Sequence, residues 1–104
     1  MKYRKLGRSG LDVSAVGLGT NNFGRKLDFK ASETVILSAL DNEINTIDTS
    51  NSYGDGLSEE YIGKSLKGRR QDAVLATKVA SPQGEDPNNK GASRKHILEQ
   101  VEIS

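Results

Sequence analysis

The chain has no cysteine among its 104 residues. That excludes disulfides, thiol nucleophiles and thiolate metal sites, and it accords with an expected cytoplasmic, reducing setting. Aromatic residues make up 5% and hydrophobic residues 34% of the chain, so a core built from them alone is thin. Charge of one sign is not in excess: fifteen Lys and Arg against fourteen Asp and Glu leave a net charge of +1, spread along the chain. Neither nucleic acid nor an anionic membrane surface is therefore expected as a partner. No apolar run approaches the roughly 20 residues that a bilayer requires. The opening MKYRKLGRSG is basic but leads into no such run, so neither secretion nor membrane spanning is expected. The length allows one domain or part of one.

What is present is an alternation of short apolar runs with helical patterns. Tyr3 to Leu6, the polar turn Gly7-Arg8-Ser9-Gly10 and Leu11 to Ser14 read as a leading β-hairpin. Ala15 to Leu18 reads as a buried strand that passes into the loop GTNNFGRKLD. A helix opens near Asp28 or Ser32, either of which can cap it. It carries Val35, Ile36, Ala39 and Leu40 on one apolar face and stops around Asn42. Ile44 to Asp48 is the next strand. From about Ser58, SEEYIGKSLKG reads as a second helix, with Ser58 as cap, Glu59 and Glu60 at its positive end, Lys64 and Lys67 near its negative end, and Gly68 just beyond. AVLATKV, residues 73–79, is the clearest strand.

Residues 81–92 hold both prolines and form a long loop, which fits either a binding or lid role or plain solvent exposure. A third helix starts at Ser93 with Ile97, Leu98 and Val101 on one side and reaches Ser104 without a stop signal. His96, the only histidine, stands beside Arg94 and Lys95 and reads as a solvated surface residue. The alternation predicts a parallel α/β sheet. Three parallel strands leave two sheet edges open, as expected of a piece of a larger fold.

Asp48 closes one strand and Lys78 lies near the end of the next, thirty residues on, about the length of one βαβ unit. Parallel neighbours joined by a helical crossover end on the same side of the sheet, ~4.8 Å apart, so the two side chains can meet. The loop TSNSYGDG delivers Tyr53 to that same mouth. A phenol with an ammonium beside it can give a proton to an oxygen that is gaining negative charge, and a carboxylate keeps the ammonium charged and in place. The same spacing also fits a structural ion pair beside a packed tyrosine. GLGTNNFG fails as a dinucleotide fingerprint, because Asn22 stands where the third glycine belongs and the helix starts several residues late. Gly17 and Gly19 either thin the backbone beside a flat ligand or turn a corner after the strand.

Three segments, YRKLGRSGLDVSAVGLGTNNFG, INTIDTSNSYGDGLSEEYIGKSL and VLATKV, closely resemble the N-terminal part of an aldo-keto reductase. The specific part is the pattern D-T-x-x-x-Y-G-x-G-x-S-E-x-x-[IL]-G followed by A-T-K. The resemblance implies an α/β fold: the N-terminal part of a (β/α)₈ TIM barrel, with residues 1–14 as a leading hairpin and residues 15–104 as the first three βα units, the last incomplete. It implies NADPH as cofactor without a Rossmann domain, a small-molecule aldehyde or ketone as substrate, and no metal. By resemblance Tyr53 is the general acid, Asp48 and Lys78 the pair that tunes it, and Gly19, Thr20, Asn21 and Asp48 border the nicotinamide end of the cofactor.

The family's fourth catalytic residue, a histidine at the end of the fourth strand, and its phosphate-gripping residues lie outside these 104 residues, so the chain alone is expected to be inactive. The alternatives are a non-catalytic nucleotide-binding or regulatory barrel, as in potassium-channel subunits that resemble this family, and a truncated remnant whose open edge pairs with another chain. Glu43 stands where the family commonly has Gly, and strain is expected there unless Asn42 takes the turn.

Overall fold

A computed structural model describes residues 1–104. The hairpin forms as expected, from β1 (Tyr3–Lys5) and β2 (Asp12–Ser14), antiparallel, with Tyr3 opposite Ser14 and Lys5 opposite Asp12. It is exposed except near Ser14, whose N–H donates to Asn45 Oδ1 over 2.8 Å and ties the hairpin to the start of a later strand. That strand belongs to a second sheet of three parallel strands in the order β3 (Gly17–Gly19), β4 (Thr46–Asp48), β5 (Val74–Ala76). Helix α1 (Phe29–Asp41) connects β3 to β4, α2 (Leu57–Ser65) connects β4 to β5, and α3 (Arg94–Ile103) follows the long loop after β5.

The strands are shorter than their apolar runs suggest. Ala15 donates its N–H to the Lys2 carbonyl (2.8 Å), so the backbone bends at Ala15 and Val16 before β3 can begin, and both residues are exposed. Beyond β4 and β5 the two backbones stay paired without regular ladder geometry, Thr49 N–H to Ala76 carbonyl (2.8 Å) and Asn51 N–H to Lys78 carbonyl (3.2 Å).

Leu18, Ile47 and Leu75 stand side by side in register and face the helices, where Ile47 joins Ile36 and Leu40 of α1, Ile62 of α2, Phe23, Leu66 and Ala73 in one buried cluster. Burying those side chains is the main source of stability, at roughly 1.5–3 kcal/mol for each large one. Asp28 caps α1, accepting from the Ala31 N–H (2.9 Å). The buried face of α1 is Ser32, Ile36, Ala39 and Leu40; Val35, one residue and about 100° away from Ile36, is exposed instead of inward. Ser58 is not the cap of α2. Gly56 occupies that position with φ 93°, and Ser58 lies inside the first turn, fully buried. Glu59, Glu60 and Lys64 hold their expected ends of the helix, whereas Lys67 lies beyond it.

The apolar side expected of α3 is turned outward. Leu98 and Val101 are 48% and 66% exposed, while His96 is fully buried and Gln100 nearly so. The solvated histidine of the sequence reading is therefore an interior one, and neither of its ring nitrogens has a hydrogen-bond partner. Glu43 takes the left-handed position (φ 64°) and Asn42 does not (φ −99°). No helix is long and apolar enough to cross a membrane.

Candidate active site

Side chains alternate across a strand, so Ile47 in the core places Asp48 on the opposite face. Its lateral neighbours in register are Gly19 and Ala76, the smallest residues available. A methyl group at Gly19 would meet no atom within 4 Å, so that face is open beside the carboxylate. Lys78 lies two residues past Ala76 and shares the face with Asp48.

The Lys78 ammonium has three protons and three oxygen partners: Asp48 Oδ2 at 2.7 Å, the Thr49 carbonyl at 2.9 Å and the Tyr53 phenol oxygen at 3.3 Å. It also sits 4.9 Å from the centre of the Tyr53 ring, within cation–π range. Its pKa is raised, chiefly by the hydrogen bond it donates to Asp48, with partial desolvation opposing and Tyr53 adding to the rise. The ammonium is therefore charged throughout the neutral range. Because Tyr53 accepts from Lys78, its own O–H is free to point away from the ammonium, toward a second acceptor.

The loop that carries Tyr53 is held from both sides. Tyr53 N–H donates to the Ser50 carbonyl (3.2 Å). After it, Gly54, Asp55 and Gly56 are all left-handed, with φ 59°, 54° and 93°, which turns the chain sharply into α2. At Gly54 a β-carbon would come within 2.6 Å of the Phe23 carbonyl, so the loops after β3 and β4 pack backbone on backbone there.

Beneath the trio, three buried hydroxyls bond in sequence. Thr49 Oγ1 and Ser58 Oγ are 2.8 Å apart, Ser58 Oγ donates to Thr20 Oγ1 (3.0 Å), and Thr20 Oγ1 donates to the Asp48 carbonyl (2.9 Å). This knot joins the ends of β3 and β4 to the first turn of α2.

The structure brings Asp48, Tyr53 and Lys78 together as the spacing suggested. Gly19 lies beside Asp48, and Gly19 and Asn21 are exposed, but Thr20 is 1% exposed with its hydroxyl committed to the knot. Sequence reasoning missed Thr49, Ser58 and the buried pair Asn51–Gln100 (2.9 Å). The run Asp48-Thr49-Ser50-Asn51-Ser52 carries no apolar signal that would mark it as interior. The largest groove, about 620 Å³, runs between α2 and α3 and is lined by Glu59, Glu60, Lys64 and Gln100 among others, but by none of the trio.

Parallel βα units with a carboxylate, an ammonium and a phenol gathered at the C-terminal ends of their strands correspond to the first part of a (β/α)₈ barrel, here with the sheet open. A model of the Aldo/keto reductase family matches residues 15–104. The chain is 39% identical over its whole length to the aldo-keto reductase YhdN of Bacillus subtilis, covering 33% of that protein. It is 38% identical, again over its whole length, to an Arabidopsis thaliana protein named "Probable voltage-gated potassium channel subunit beta", covering 33% of it. Among solved structures it matches the holo form of an aldo-keto reductase from Bacillus halodurans with a TM-score of 0.85 and 38% identity, over 98% of this chain and 34% of that one. The chain belongs to the aldo/keto reductase family and spans about a third of the length of the curated relatives it matches.

Proposed function

We propose that these residues supply the proton-donating part of an NADP-dependent carbonyl reductase site, acting on an aldehyde or ketone. The observation that carries this reading is the Lys78 ammonium, which contacts the Asp48 carboxylate and the Tyr53 phenol at once. A substrate carbonyl oxygen that accepts from the Tyr53 O–H takes its proton as negative charge develops there, and the phenolate left behind faces Lys78. Asp48 keeps Lys78 oriented and charged through that step.

The residues present fit a nicotinamide. Gly19 leaves open space next to Asp48, on the face that Tyr53 and Lys78 share. Gly19, Asn21 and Asp48 would border the ring and ribose, and Thr20 would shape that loop from beneath. NADPH, when bound, supplies the hydride for the carbonyl carbon.

The test is NADPH oxidation with a panel of aldehydes and ketones, using a protein of the relatives' length that carries this segment. Turnover is expected, with a loss of at least about 100-fold in Tyr53→Phe, in line with the removal of a general acid; wild-type rates in Tyr53→Phe would refute the assignment. The 104-residue chain alone is expected to give none, because the family's fourth catalytic histidine and its phosphate-binding residues lie outside it. The kinship with proteins named as potassium-channel subunits supports a second reading, a regulatory barrel that binds nucleotide without turnover. Tight NADPH binding with no carbonyl reduction across the panel would select it.

A further inference from the structure

Asn51 and Gln100 form a buried amide pair across 49 positions of sequence, Asn51 Nδ2 donating to Gln100 Oε1 over 2.9 Å. It is the only hydrogen bond that joins α3 to any part of the chain beyond its own cap. Leu98, Val101 and Ile103 face solvent, so apolar packing anchors little of that helix. Asn51 lies between Asp48 and Tyr53, and its backbone N–H donates to the Lys78 carbonyl (3.2 Å). Its side chain is thus held by α3 while its backbone holds Lys78. Asn51 Oδ1 is buried without a partner, an arrangement that disfavours the fold. Apolar side chains of similar shape at both positions would avoid that penalty, so stability alone does not account for the amide pair.

We propose that Gln100 is a positioning residue: through Asn51, α3 sets the backbone of Lys78 and the approach of the chain to Tyr53. The inference rests on reading the trio as catalytic, yet its test does not depend on turnover. Amide hydrogen exchange of the 104-residue chain is compared with that of Gln100→Met, which keeps the length and removes the acceptor, and of Gln100→Glu, which keeps an acceptor. In Gln100→Met the Asn51 amide is expected to exchange about tenfold faster, the equivalent of one hydrogen bond's net contribution. The core amides of Ile47 and Ile62 should be unchanged, and the Lys78 ammonium, followed by the NMR shift of its ε-carbon, should titrate closer to the ordinary lysine value. Gln100→Glu should restore both.

Unchanged exchange at Asn51 or an unmoved Lys78 titration overturns the proposal. Equal loss of protection at Asn51, Ile47 and Ile62 also overturns it, because the pair would then hold the fold rather than the loop. Failure of Gln100→Glu to restore Asn51 does the same. Absence of carbonyl turnover in a protein of full family length would count against the catalytic reading and leave the Asn51–Gln100 link standing.

Discussion

Each proton of the Lys78 ammonium meets a different oxygen, which makes this side chain the most informative residue of the site. Its folded pKa is raised, mainly by Asp48. A raised lysine pKa stabilises the fold in full below the unfolded value, about 10.4, and that contribution disappears as pH rises through the folded value. The stability difference between the chain and Lys78→Met, read from urea midpoints, should therefore be constant across neutral pH and shrink above about pH 10.4. A difference that already shrinks on the neutral side would mean that another group governs the pair. The side chain is half exposed, so the size of the effect is modest.

Glu43 is a residue-scale exception of a different kind, since a side chain at φ 64° strains the backbone. Glu43→Gly should raise stability by about 1 kcal/mol in the same urea assay. Its exposed pair with the N-terminus, at 3.4 Å, offsets little of that gain. An unchanged midpoint would show that this pair matters more than such exposed contacts usually do.

Between elements, hydroxyls do the joining that apolar side chains do in the core. The knot of Thr20, Thr49 and Ser58 holds the exits of β3 and β4 against α2, and all three residues are at most 1% exposed. Ser58→Ala leaves the Thr49 hydroxyl without a partner in a dry setting, while Thr20 keeps its bond to the Asp48 carbonyl, and should lower stability by about 1–3 kcal/mol. A midpoint shift of only a few tenths of that would show that the threonines satisfy each other.

Local signals were legible at this scale: Asp28 and Ser93 cap α1 and α3 as their positions suggest, because a cap bonds only three residues ahead. The faces of α3 were not legible. Ile97, Leu98 and Val101 make a credible apolar stripe, but the loop above offers an amide, and Gln100 and His96 are the residues turned inward. Ser58 was misjudged for the same reason. A serine before two glutamates reads as a cap, yet the left-handed Gly56 had already started the helix.

For the whole molecule, the order β3-β4-β5 with a helix in each crossover brings all C-terminal strand ends to one side. That is why three residues spread over thirty positions share a mouth. The sequence by itself determined the alternation of strands and helices, the hairpin and, through the motif around Asp48, Tyr53 and Lys78, the kinship, because periodicity, caps and motifs are local properties of the chain; spacing alone left the trio open to a structural ion pair. Tertiary structure alone decided which polar residues are interior. Burial of Thr49, Ser58, His96 and Gln100 depends on what other segments place against them, and hydrogen bonds between residues as far apart as Asn51 and Gln100 leave no periodic trace in the sequence.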